Sequence, residues 1–195
     1  MKQPLGVILA GGQASRMGGG DKGLLPLGTG TLLSHVIERL EPQVADLALN
    51  ANGNAARFAH LGWPVLADSI DSYAGPLAGV LAGLDWAADK GATHIVTAAA
   101  DTPFFPCDLV PQLMWAAESS PAGMAMAHGP SGRHPTFALW PVSLSEDLRN
   151  ALNNGLRKVV LWTDTHSCAA AHFPDDAAFF NVNTPDDLVQ AQGMI

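Results

Sequence analysis

Leu5-Gly6-Val7-Ile8-Leu9-Ala10-Gly11-Gly12-Gln13-Ala14-Ser15-Arg16-Met17-Gly18-Gly19-Gly20-Asp21-Lys22 decides the reading of this chain. An apolar run stops abruptly at two glycines, and a glycine-rich loop follows it. Glycine lets the main chain approach a ligand closely, and backbone N–H groups exposed at the end of a buried strand can wrap a phosphate chain. Two of the ten Lys and Arg residues, Arg16 and Lys22, lie in this one loop. A P-loop needs G-x-x-x-x-G-K-[ST]. Here Lys22 follows Asp21 and precedes Gly23, so that reading fails. Residues 18–23 do spell G-x-G-x-x-G. The dinucleotide fingerprint, however, starts its glycines where the strand ends, and this strand ends near Ala10. A glycine turn without a ligand stays open on the loop alone.

Outward from the loop, strand and helix patterns alternate. Residues 7–10 read as a buried strand. Leu32, Leu33, Val36, Ile37 and Leu40 recur at helical spacing, and Pro42 closes that helix. Residues 44–51, 65–67 and 94–100 read as further strands, and 76–90 as an Ala- and Leu-rich helix with Pro in its first turn. The pattern over 106–118 is helical, with Pro111 placed to split it. Residues 124–128 and 136–140 read as a strand doublet joined by a loop with Gly129, Pro130 and Gly132. Residues 143–153 read as a helix closed by Gly155, and 157–162 as helix or strand. Residues 169–173 and 179–182 are strand candidates, and 185–192 a last short helix. Such alternation predicts right-handed βαβ units. The expected architecture is a Rossmann-like α/β three-layer sandwich, its central sheet mostly parallel with at least one antiparallel strand.

Length and composition limit the answer. The 195 residues suit a single domain, 1–195, with ample chain for a core. The formal charge of −8 argues against a nucleic-acid surface. No apolar run reaches the length of a membrane span, and no secretory leader is apparent at the start. Cys107 and Cys168 lack metal-type spacing, and the expectation is two reduced, partly buried thiols in a cytoplasmic protein. A monomer is expected.

In open α/β sheets, ligands sit beyond the carboxyl ends of the strands. Gly11, Gly12, Asn50, Asp68 and Asp101 all fall at such ends. Asp101, after the run 95–100, reads equally as a Mg²⁺ ligand aimed at a phosphate site or as a turn aspartate before Thr102-Pro103. Asn181 and Asn183 share one face of an extended segment, and Thr184-Pro185 is a sound helix start. Gly75-Pro76-Leu77-Ala78-Gly79 offers room for a ring, or tight helix–sheet packing. Arg157-Lys158 is a solvated helix end or a second anion site, and His134-Pro135-Thr136 is a weaker signal.

With these residues in view, the chain resembles the molybdenum cofactor guanylyltransferases. The match rests on Leu9-Ala10-Gly11-Gly12, Ser15-Arg16-Met17-Gly18 and Asp21-Lys22, then Asn50-Ala51-Asn52, Asp68-Ser69, Gly75-Pro76-Leu77-Ala78-Gly79 and Asp101-Thr102-Pro103. His134-Pro135-Thr136 and Asn181-Val182-Asn183-Thr184-Pro185 complete it over nearly the whole chain. The opening loop is shared with many nucleotidyltransferases; the combination with the Asn-Val-Asn-Thr-Pro segment is far more specific. The resemblance implies a fold of the nucleotide-diphospho-sugar-transferase type. It implies transfer of GMP from GTP to molybdenum-molybdopterin, with release of diphosphate. Leu9, Ala10, Gly11 and Gly12 would hold the nucleotide and Lys22 its phosphates. Asn50 and Asp68 would contact guanine or ribose. Asp101 would bind nucleotide and Mg²⁺, Mn²⁺ being the other candidate ion. Arg157, Asn181 and Asn183 would face the pterin. Arg16, Lys22 and Asp101 would be the catalytic groups. Transient contact with cofactor-donor proteins or recipient molybdoenzymes is compatible with such a role. The rivals are a relative that uses CTP or activates a sugar phosphate, and a binding protein without catalysis.

Overall fold

The computed structural model describes residues 2–11, 21–70 and 75–195. The apolar opening run forms β1 (Leu5–Leu9), buried along nearly its whole length. A strand is buried on both faces only in the middle of a sheet that carries helices on both sides. A short hairpin follows, β2 (Pro26–Leu27) and β3 (Gly30–Thr31), then α1 (Leu32–Leu40), β4 (Leu47–Asn50) and β5 (Val65–Leu66). Next come α2 (Pro76–Asp89), β6 (His94–Ala99), α3 (Leu109–Ala117), β7 (Ala125–Gly129) and β8 (Gly132–Pro141). The chain continues through α4 (Ser145–Asn153), α5 (Val159–Thr165), β9 (Ala169–His172) and α6 (Pro185–Gln192).

Seven strands form one sheet in the order β5-β4-β1-β6-β8-β7-β9. β5, β4, β1 and β6 run parallel, β8 runs antiparallel to both its neighbours, and β9 is parallel to β7. This is the mostly parallel sheet with an antiparallel member that the pattern predicts. On one face, Leu33, Val36, Leu40, Leu109 and Leu113 of α1 and α3 pack with Ile8, Leu49 and Val96. On the other, Leu77, Leu81, Leu84, Leu148 and Trp162 of α2, α4 and α5 pack with Val7, Ile95 and Trp140. Each such side chain contributes about 1.5–3 kcal/mol on burial.

Local chemistry sets the boundaries. α1 starts at a capping box in which Thr31 Oγ1 accepts from the Ser34 N–H at 3.1 Å and Ser34 Oγ from the Thr31 N–H at 2.8 Å. Pro111 does not split a helix over 106–118. The helix begins later, at Leu109, which puts Pro111 in the first turn, where an N–H would lack an intrahelical partner anyway. The Val110 N–H is met by Gln43 Oε1 at 2.8 Å. Of residues 157–162, those from Val159 on resolve as helix, within α5, while Arg157 and Lys158 precede it. The strand expected over 44–51 begins only at Leu47, because the 3-10 turn Glu41–Gln43 holds the preceding chain. Residues 179–182 form no strand. Phe179 ends the 3-10 turn Asp176–Phe179 and drives its ring between Phe137, Phe173 and His134. Cys107 is exposed, not partly buried, in the surface turn just before α3; Cys168 is half-buried, and burial pushes its thiol up to about 12.

The topology places the site. From β1 the chain moves outward to β4 and β5, then α2 carries it back across to β6 on the other side of β1. The strand order therefore reverses between β1 and β6, and a crevice opens there beyond their carboxyl ends. α2 can lie close above it because of its glycines. A methyl group on Gly83 would sit 2.8 Å from Val7 Cγ2, and one on Gly79 would sit 2.9 Å from Leu9 Cδ2 and collide with the Asn50 amide. Of the two readings of 75–79, tight packing therefore holds at Gly79.

Burial holds the imidazoles of His94, His128 and His134 below their ordinary value, in the last case against the opposing pull of Asp176. A histidine lowered in the folded state takes up protons more readily when unfolded, so stability rises with pH through this window and falls as pH drops below the unfolded value near 6.5. The melting temperature is expected to fall steadily between pH 7 and pH 5; a flat or rising profile by calorimetry would contradict these burials.

Candidate active site

The crevice holds a cavity of about 480 Å³. Leu9, Ala10, Gly11, Lys22, Asn50, Asp68, Asp101 and Asn181 all line it: Lys22 from the 3-10 turn that it opens, Asn181 from the C-terminal segment, and the others at or just beyond a strand end. Gly12 and Arg16 lie outside the described residues. Asn183 reaches the same place through Lys22, and Arg157 stands behind Gly75.

Two corners make up this site. In the first, β4 delivers Asn50, which is almost fully buried. Its Nδ2 donates to the Leu66 carbonyl at 3.1 Å and to Asp68 Oδ1 at 2.9 Å. Asn52 Nδ2 donates to Asp68 Oδ2 at 2.7 Å, and the Asp68 N–H donates back to Asn52 Oδ1 at 2.9 Å. Two side-chain amides thus fix both oxygens of one carboxylate, and Asn50 can adopt this pose because Gly79 leaves room for its oxygen.

The second corner is charged. Lys22 opens a 3-10 turn, Lys22–Leu24. Its Nζ sits 2.8 Å from Asp101 Oδ2 and donates also to Asn183 Oδ1 in a short contact. Both members of the ion pair are largely shielded, with side-chain exposures of 13% and 21%. Asp101 Oδ1 accepts from Thr102 Oγ1 at 3.3 Å. Asn183 is held by its neighbours: Asp187 Oδ2 accepts from the N–H groups of Asn183 and Thr184, both at 2.8 Å, and those bonds hold the Asp187 carboxyl below the usual range. The Val182 N–H donates to the Asp101 carbonyl at 2.9 Å, which docks the 181–183 segment alongside β6 although no strand forms. Asn181 and Asn183 are exposed on either side of fully buried Val182, as the alternation predicts.

Arg157 Nη1 donates to the carbonyls of Leu152 and Leu156 at 2.8 and 2.7 Å, at the end of α4. Its backbone carbonyl would lie 3.9 Å from a methyl group on Gly75, whose φ of +64° demands glycine. Thr136 lines the cavity as well. It lies in a bulge of β8, where Ala138 pairs with Met126 but His134 pairs with Ala127. Its displaced carbonyl accepts from Thr97 Oγ1 at 2.8 Å, and Trp140 Nε1 donates to that same hydroxyl at 2.9 Å. Arg57, which also lines the cavity, escaped the sequence reading. Its one signal was a cation seven residues after Asn50, in a stretch rich in Asn and Ala.

A doubly wound sheet with a lysine–carboxylate pair and a fixed amide–carboxylate corner at its switch point defines a nucleotidyltransferase. Comparison with known proteins narrows this. Residues 6–167 match the MobA-like NTP transferase domain. The chain is 47% identical to the molybdenum cofactor guanylyltransferase of Mesorhizobium japonicum, over 97% of this chain and 95% of the relative. Among solved structures, molybdopterin-guanine dinucleotide biosynthesis protein A of Archaeoglobus fulgidus superposes with a TM-score of 0.73 at 23% identity, covering 97% of both chains. The manganese complex of Rv0371C from Mycobacterium tuberculosis superposes at 0.68 with 19% identity, covering 100% of both. The chain belongs to the molybdenum cofactor guanylyltransferases. Among the described residues, no helix is long and apolar enough to cross a membrane.

Proposed function

We propose that GTP and the phosphate of molybdenum-molybdopterin meet in this cavity, and that GMP passes to the pterin as diphosphate leaves. The observation that carries this reading is Lys22, whose ammonium joins Asp101 to Asn183 at the switch point. The amide-fixed Asp68 carboxylate presents acceptors suited to the N–H edge of guanine or to ribose hydroxyls, with Asn50 at its side. Leu9, Ala10 and Gly11, with Gly12, hold the nucleotide, and Lys22 with Arg16 meets its phosphates. Asn181, Asn183 and Arg157 face the pterin.

The attacking pterin phosphate has a second pKa of about 6 and is largely ionised at neutral pH, so a strong general base is not required. Alignment and charge neutralisation remain for the protein to supply. Asp101 is suited to hold Mg²⁺ or Mn²⁺: its carboxylate and the nearby amide oxygens are hard donors. Among the described residues no group of three or more His, Cys, Asp or Glu could enclose an ion, so the other ligands would be phosphate oxygens and water, as is usual for Mg²⁺ on nucleotides. The related manganese complex supports a divalent ion. Such an ion would neutralise charge on the phosphate chain. We assign the protein to the cytoplasm, in keeping with its free thiols, as one domain acting as a monomer.

The test offers GTP and CTP at equal concentration with metal-charged pterin. GMP transfer with diphosphate release is expected; preferential CMP transfer overturns the guanine assignment, and binding without diphosphate release overturns catalysis. A second variant reads the base corner. Gly79→Ala pushes on Asn50 and is expected to raise KM for GTP about tenfold, with a stability loss of about 1–3 kcal/mol seen in thermal unfolding. Unchanged KM would detach Asn50 from the nucleotide.

A further inference from the structure

Arg57 has no part in the chemistry above, yet its guanidinium makes two hydrogen bonds and one ion pair where the two corners meet. It lies in the 3-10 turn Ala55–Leu61 that follows β4. Nε faces Asp21 Oδ2 at 2.5 Å. Nη1 donates to the Asn54 carbonyl at 2.6 Å, and Nη2 to the Asn52 carbonyl at 2.7 Å. The guanidinium sits 4.6 Å above the ring of Phe58, which is buried in the core.

These contacts join parts that the sequence keeps apart. Asn52 is the residue whose side chain fixes Asp68. Asp21 immediately precedes Lys22. The planar fork of arginine can span a carboxylate and two carbonyls at once, while Phe58 anchors its face. A lysine ammonium could serve one partner but not the whole arc.

We propose that Arg57 is a positioning residue that ties the amide-fixed carboxylate corner to the turn carrying Lys22, so that the ammonium is in place before the nucleotide arrives. This rests on the reading of the cavity as the GTP site. Without the tether, ordering of the 21–24 turn must occur on binding, and that ordering is subtracted from the affinity for the phosphates. Recognition of the base, which runs through Asn50 and Asp68, keeps its own hydrogen bonds and is spared.

The test measures binding of GTP by calorimetry and of guanosine by ligand-observed NMR, with thermal unfolding to confirm that each variant is folded. Arg57→Gln is expected to raise Kd for GTP about tenfold and to leave guanosine within about twofold. Asp21→Asn, a near-isosteric change that keeps the turn's shape, is expected to give the same pattern. The double variant is expected to be no worse than either single one, since both cut the same link. Arg57→Lys is expected to recover part of the GTP affinity. Equal losses for guanosine and GTP, or single losses that multiply in the double variant, would overturn the tether. Normal GTP binding by the wild type together with unchanged binding by Arg57→Gln overturns the tether alone; a wild type that binds no GTP overturns the cavity reading beneath it.

Discussion

Asp101→Asn is expected to lower kcat/KM for GMP transfer by roughly 10³-fold, about 4 kcal/mol of transition-state stabilisation. Two effects combine. The amide is a weaker donor toward a divalent ion, so phosphate charge is less well neutralised. The change also strips Lys22 of the carboxylate that it pairs with at 2.8 Å, in a setting where both groups are largely shielded from water. Removing one member of such a pair leaves an uncompensated charge. The ammonium should then seek Asn183 or solvent and lose its aim at the phosphates. Raising the Mn²⁺ concentration a hundredfold is not expected to restore the rate. A variant that keeps more than a tenth of wild-type kcat/KM would remove Asp101 from the reaction.

Lys22→Met is expected to lower kcat/KM by a similar factor, on the order of 10³-fold, because a positive charge aimed at the phosphate chain disappears. Its second consequence has the opposite sign. Lys22 occupies Asp101 Oδ2, so in the free protein the ammonium competes with any cation for that oxygen. Without it the carboxylate is open and the site carries one more negative charge. Binding of Mn²⁺ in the absence of nucleotide, followed by the loss of its free EPR signal, is therefore expected to tighten about tenfold, or 1.4 kcal/mol. Equal or weaker Mn²⁺ binding by this variant would show that the ion does not use Asp101.

Most of the cavity's lining at the strand ends was legible before the structure, and the reason is local. Gly11, Asn50, Asp68 and Asp101 each follow a short apolar run, and a strand pattern places its end within a residue or two. The parallel order then brings those ends to one edge. The helix Pro185–Gln192 was legible to the residue because Thr184 and Pro185 announce it and its cap is made within three residues. What escaped depends on partners far along the chain. The segment 179–182 has strand-like composition, but Phe179 finds Phe137, Phe173 and His134, and aromatic burial outweighs strand pairing. The β8 bulge that turns Thr136 into the cavity requires Thr97 and Trp140. Arg57 acquires its meaning from Asp21, in a loop whose position no periodicity reports.

The contact between Lys22 and Asn183 spans 161 residues. Lys22 comes with the amino-terminal turn that we propose meets the phosphates of GTP; Asn183 comes with the C-terminal segment that we propose faces the second substrate. On that proposal, donor and acceptor preferences are written in separate stretches of the gene, with a single lysine as their shared border. Chimeras that exchange the stretch after β9 between related enzymes should change which acceptor is used and leave the nucleotide choice as it was.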